Sequence, residues 1–169
     1  MKSRTIGRPA AHRVLIATIA LLAGACGGGS AGAATTVAST PQPIAGDVER
    51  TTFSPSLDVD LSKMTKRASG LYVQDVRMGT GAVVTRQRTA TVSYIGWLPN
   101  GKEFDRGEIT VTLGSNKVIR AWEEGLLGMR VGGVRRLVSP PNLAYGPRGA
   151  GEIPGNAVLV FQMEVISVY

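Results

Sequence analysis

Val118-Ile119-Arg120-Ala121-Trp122-Glu123-Glu124-Gly125-Leu126 breaks the pattern of everything around it. Ile119, Trp122 and Leu126 recur at the spacing of one helical face, and Gly125 or Gly128 closes the segment. On both sides the period is two. Ala90, Val92 and Tyr94 alternate with Thr89, Thr91 and Ser93, and Ile109, Val111 and Leu113 alternate again. Downstream, residues 134–138 read as a strand, and 158–168 as another with Leu159, Phe161, Met163 and Val165 facing one way. Upstream, a strand over 71–77 stops at Met78-Gly79-Thr80-Gly81. Pro99-Asn100-Gly101 is a turn leading into 102–105. Residues 139–156 carry Pro140, Pro141, Pro147 and Pro154 and read as a long loop. The pattern predicts an α+β domain over 70–169, an antiparallel sheet folded over one short helix.

Outward from that domain, the N-terminal part reads as an address and a tether. Lys2, Arg4, Arg8 and Arg13 precede the apolar run Val14-Leu15-Ile16-Ala17-Thr18-Ile19-Ala20-Leu21-Leu22, the order of a secretory signal. The run is short for a membrane span, which needs about 20 apolar residues. It ends in Leu22-Ala23-Gly24-Ala25-Cys26, which resembles a bacterial lipobox, with Ala23 where the usual leucine stands. That resemblance implies a signal over 1–25, lipidation of Cys26 and an anchor on the extracytoplasmic face of the cell membrane. Residues 26–50 are rich in Gly, Ala, Ser and Thr and read as a flexible linker. Residues 51–69 are transitional, with Phe53, Leu57 and Leu61 placed to add an edge segment.

Composition then excludes whole classes of chemistry. The 169 residues carry a formal charge of +7, but Lys2, Arg4, Arg8 and Arg13 leave with the signal, so the mature charge is +3. No basic stripe remains, and Arg135-Arg136 is only a pair within a strand, so no nucleic-acid partner is expected. The only histidine is His12 and the only cysteine is Cys26. A mature domain without histidine or free thiol has no Ser-His-Asp or Cys-His nucleophile, no His/Cys zinc site and no disulfide. Glu123 and Glu124 are adjacent and do not share a helix face, which argues against a paired-carboxylate glycosidase. Gly79-Thr80-Gly81 lacks phosphate-loop spacing, and Asp58, Asp60 and Asp75 lack calcium-loop spacing. Neither a metal nor a cofactor is expected.

Five aromatics, Tyr94, Phe104, Trp122, Tyr145 and Phe161, come from strands, helix and loop. They would serve a small core equally well. Two placements point instead to a pocket: Tyr145 lies in a proline-rich loop, and Asp105 sets a carboxylate beside Phe104.

The segments Val92-Ser93-Tyr94-Ile95-Gly96-Trp97, Gly101-Lys102-Glu103-Phe104-Asp105, Leu113-Gly114, Val118 to Leu126, Ala144-Tyr145-Gly146 and Ile153 to Phe161 resemble, in order, the FKBP-type peptidyl-prolyl isomerases. The resemblance implies a half-barrel sheet around the helix, with Trp122 flooring a pocket walled by Tyr94, Phe104, Val118, Ile119, Ile153 and Phe161. Tyr145 would offer its hydroxyl, and Ile119 its N–H, to a substrate carbonyl, with Asp105 at the rim. Ile109 stands where many members carry an aromatic. Only Arg106-Gly107-Glu108 separates Asp105 from Ile109, shorter than in the best-known members. The implied partners are Xaa-Pro segments of exported proteins and macrolide inhibitors of the rapamycin type, met by a monomer. A pocket that binds proline peptides or chaperones without turnover is the alternative.

Overall fold

The structure, a computed structural model, describes residues 46–169. The signal over 1–25, Cys26 and most of the linker lie outside the described residues. Six antiparallel strands form one sheet: β1 (Thr65–Lys66), β2 (Tyr72–Arg77), β3 (Thr89–Trp97), β4 (Glu103–Thr112), β5 (Val134–Ser139) and β6 (Leu159–Val168), in the spatial order β1-β2-β5-β6-β3-β4. The helix α1 (Arg120–Gly125) is inserted between β4 and β5. It is shorter than the patterned stretch because Ile119 is extended, at φ −60° and ψ 150°, and only its carbonyl joins the helix, accepting from the Trp122 and Glu123 N–H groups.

Period-two alternation gives the sheet two different faces. In β6, Leu159, Phe161, Met163 and Val165 are all buried in one cluster with Trp122 of α1, Leu126 just after it, Val92 and Leu137. Their neighbour Val160 is buried too, on the other face. There Tyr72, Val138, Val158 and Val160 pack beneath Val48, Leu57 and Met64, flanked by Phe53, Val59, Leu61 and Trp97. Residues 47–69 therefore run across the far face of the sheet through two 3-10 turns, Pro55–Leu57 and Leu61–Lys63, before adding β1 at the edge. Tyr72 Oη donates to Glu49 Oε1 at 2.6 Å, and Lys66 Nζ meets the same oxygen at 2.6 Å.

Two features of the strands bear on the site. The stretches 102–105 and 109–113, read from the sequence as separate pieces, are joined in the single strand Glu103–Thr112, because Arg106, Gly107 and Glu108 pair with Ile95, Tyr94 and Ser93. Further along, Gly96 pairs with Asp105 but Trp97 with Glu103, so Phe104 is an extra residue in a bulge.

The helix is tied to the sheet at its C-terminal end. A Cβ on Gly125 would collide with Leu137 of β5, so glycine permits the contact. Arg135, 7% exposed, donates to the Gly125 carbonyl at 2.7 Å and the Leu127 carbonyl at 3.3 Å, and its Nε meets Asp75 Oδ1 at 2.6 Å. A guanidinium thus satisfies carbonyls that a helix end leaves open.

Candidate active site

Between α1 and the β3–β4 pair lies a cavity of about 400 Å³. It brings together Tyr94 of β3, Phe104, Asp105 and Ile109 of β4, Val118 and Ile119 ahead of α1, Trp122 of α1, Phe161 of β6 and Tyr145 of the loop after β5. Neighbouring residues of a regular strand point to opposite faces. The bulge explains how Phe104 and Asp105 both reach the cavity.

The aromatic wall is built edge to face. Ring centroids lie 4.7 Å apart for Tyr94 and Trp122, 5.7 Å for Trp122 and Phe161, and 5.8 Å for Phe104 and Phe161, at interplanar angles of 67°, 88° and 88°. Such pairs add about 0.5–1.5 kcal/mol each beyond area burial. Trp122 and Phe161 are only 6% and 2% exposed, and the buried Trp122 Nε1–H has no hydrogen-bond partner among the described residues. Gly96 lets the rings meet: a Cβ there would lie 2.6 Å from Phe104 Cζ and 3.1 Å from Phe161 Cε1.

The polar groups are few. Tyr94 Oη donates to Asp105 Oδ2 at 2.9 Å. Burial, then that carboxylate, push the Tyr94 phenol above its ordinary range. Burial, with Asp105 behind it, does the same for Tyr145. Both phenols therefore remain protonated donors at neutral pH. Tyr145 is 38% exposed, and its hydroxyl makes no hydrogen bond among the described residues. The Ile119 N–H likewise finds no acceptor there. Two donors free of partners among the described residues stand beside the aromatic wall.

One predicted wall residue is elsewhere. Ile153, 8% exposed, belongs to the core cluster and does not line the cavity. Its backbone exchanges hydrogen bonds with Ala150 at 2.8 and 3.0 Å, and this narrow turn carries the side chain into the core. Two lining residues escaped sequence reading, Asn116 and Lys117. Neither belongs to a patterned segment, and only their place just ahead of Val118 hinted at them. Gly96 escaped as well, although a glycine inside a strand is a signal of close approach.

The profile of the "FKBP-type peptidyl-prolyl cis-trans isomerase" family matches residues 81–166, which hold the cavity residues. The chain belongs to this family. An "FK506-binding protein" of Neisseria meningitidis serogroup B is 42% identical over 106 residues, covering 59% of this FKBP-type chain and 97% of the relative. Among solved structures, FkpA from Escherichia coli is similar at TM-score 0.58 and 38% identity, over 63% of this chain and 51% of that one. A peptidyl-prolyl cis-trans isomerase of Pseudomonas syringae gives 0.58 and 36%, over 63% and 80%. The antiparallel sheet over one short helix is thus the FKBP fold.

Proposed function

We propose that the cavity accelerates rotation about Xaa-Pro bonds of exported proteins by desolvation and hydrogen bonding. The reaction breaks no covalent bond; its barrier of about 18–20 kcal/mol is the lost amide resonance. A twisted amide separates less charge than a planar one, so a dry apolar wall favours it over the ground state. The prolyl ring sits on Trp122 between Tyr94, Phe104 and Phe161. The Tyr145 hydroxyl and the Ile119 N–H hold substrate carbonyls, and Asp105, fixed by Tyr94, lies at the rim where the carbonyl turns. The observation that carries this reading is the pair of donors, Tyr145 Oη–H and Ile119 N–H, left without partners among the described residues on the wall of an aromatic cavity.

A protease-coupled assay on a short Leu-Pro peptide tests it. Wild type is expected to shorten the uncatalysed relaxation of roughly 10–100 s, and Tyr145→Phe to lower kcat/KM by about ten-fold, the effect of one lost hydrogen bond to a carbonyl. Unchanged turnover in Tyr145→Phe would remove that residue from the site. A rapamycin-type macrolide would compete for the same cavity, though Ile109 gives it one aromatic wall fewer.

The setting is the cell envelope. The basic n-region, the apolar run and the lipobox-like Leu22-Ala23-Gly24-Ala25-Cys26 support export and lipidation at Cys26. Mass spectrometry of the mature N-terminus is expected to find diacylglyceryl-Cys26, and Cys26→Ala to release the protein from membranes. An unmodified cysteine in membrane-bound protein would refute the anchor.

A further inference from the structure

Beside the cavity, and sharing Asn116 with it, is a second hollow of about 480 Å³ whose charged lining is Arg86, Arg120, Glu123 and Glu124. Its two acids are already engaged. Glu123 Oε2 accepts from the Gly114 N–H at 2.5 Å and its Oε1 from the Asn116 N–H at 3.1 Å. Glu124 Oε1 accepts from the Ser69 hydroxyl at 2.8 Å and faces Arg67 at 4.0 Å. Arg86 and Arg120 are exposed, and neither forms an ion pair among the described residues. Lys117, on the cavity wall next to Asn116, is in the same condition. Elsewhere most cations are matched, as in Lys63–Asp60, Lys66–Glu49, Arg77–Glu164, Lys102–Glu152 and Arg135–Asp75. Arg88, Arg130 and Arg148 also lack a carboxylate but line neither hollow.

We propose that the second hollow is a subsite for acidic side chains flanking the proline, so that the substrate class is proline segments bearing Asp or Glu beside the isomerised bond. The inference rests on the isomerase reading of the cavity. A peptide with its prolyl ring over Trp122 leaves the cavity on one side past Lys117 and Asn116 and enters the hollow holding Arg86 and Arg120. A guanidinium matches a carboxylate with two parallel N–H donors. Glu123 is engaged by backbone N–H groups and Glu124 by Ser69 and Arg67, and neither is within ion-pair distance of the two arginines, whose N–H donors stay open to a ligand carboxylate. The preference is electrostatic and reaches about one Debye length, roughly 8 Å at physiological salt.

The test measures kcat/KM by NMR exchange, with the whole protein, on peptides carrying Glu, Gln or Lys at successive positions before and after a Leu-Pro bond. At low salt the Glu peptide is expected to exceed its Gln counterpart by roughly three- to ten-fold on one side of the proline, since solvent-exposed ion pairs are weak one by one. Lys is expected below Gln, and the gap to close at about 0.5 M salt. Arg86→Ala/Arg120→Ala is expected to bring the Glu/Gln ratio toward one, each variant being referred to its own Gln rate. Equal rates for Glu and Gln at low salt would overturn the subsite, as would a ratio unmoved by the double variant. Absence of exchange on every peptide would instead overturn the reading of the cavity itself. Binding to phosphatidylglycerol vesicles that the double variant abolishes, together with a Glu/Gln ratio of one, would give these cations to a membrane surface and overturn the peptide subsite.

Discussion

Gly96→Ala tests whether the cavity depends on a close approach inside β3. The added Cβ would lie 2.6 Å from Phe104 Cζ, 2.9 Å from Phe104 Cε2 and 3.1 Å from Phe161 Cε1. Carbon atoms pack at about 3.5–4.0 Å, so the Phe104 ring must retreat by roughly 1 Å or the strands must part. Both rings border the cavity, but Phe161 is 2% exposed and Phe104 only half-buried, so Phe104 is the ring that gives way. Overpacking of this kind costs about 1–3 kcal/mol, and a 1 Å error at a reacting site costs on the order of 100-fold in rate. The expected result is a folded variant with kcat/KM lowered 10- to 100-fold and urea stability lowered by about 1–3 kcal/mol. Gly107→Ala is the control, because its Cβ would meet Tyr94 Oη at an ordinary 3.6 Å. It is expected to stay within about two-fold of wild type, as surface substitutions usually cost under 0.5 kcal/mol. Wild-type turnover and stability in Gly96→Ala, or equal damage from Gly107→Ala, would refute the reasoning.

Arg135→Met should lower stability by about 2–3 kcal/mol in urea, since it leaves Asp75 without its ion pair and the Gly125 carbonyl without its donor; an unchanged midpoint would contradict that. Starting the chain at Gly70 would uncover Tyr72, Val138, Val158 and Val160 and should cost on the order of 3–6 kcal/mol. A midpoint equal to that of the longer chain would show that residues 47–69 are not part of the packed body. In a Tyr ring-carbon NMR titration, Tyr94 and Tyr145 should ionise above the ordinary 10.0. The sign follows: stability from their neutral phenols is complete below pH 10.0 and is lost as pH rises through the higher folded values. Ionisation of either below 10.0 would contradict the burial invoked. Asp60, held down to about 2 by the Ser62 side chain and then by Lys63, should contribute stability above 3.8 that fades as the pH falls through about 2. Asp60→Asn should remove that dependence, and an unaltered acid limb would refute it.

What the sequence showed, it showed through periodicity. Alternation at Ala90, Val92 and Tyr94 and at Leu159 to Val165 placed the strands, and the spacing of Ile119, Trp122 and Leu126 placed the helix. The far face stayed hidden because Val48, Leu57 and Met64 follow no period, and only their packing on Val138 and Val160 reveals their purpose. The bulge at Phe104 is a property of pairing between two strands, so no single strand announces it. Ile153 packs in the same core cluster as Trp122 and Phe161 without reaching the cavity lining, and its backbone is set by the turn with Ala150, which a motif read along the chain does not announce. Asn116 and Lys117 reach the cavity from a loop that the Glu123 carboxylate holds through the Gly114 and Asn116 N–H groups. A bond from a helix back to a preceding loop leaves no trace in local pattern.

The most direct test is NMR exchange spectroscopy on a neutral Leu-Pro peptide with wild type and Phe104→Ala, binding being followed on the same samples. Catalysed exchange in wild type, with Phe104→Ala lowered at least ten-fold while the peptide still binds, is what an apolar cavity acting on the twisted amide predicts. Peptide bound by wild type at the uncatalysed exchange rate would contradict it and leave a proline-binding module.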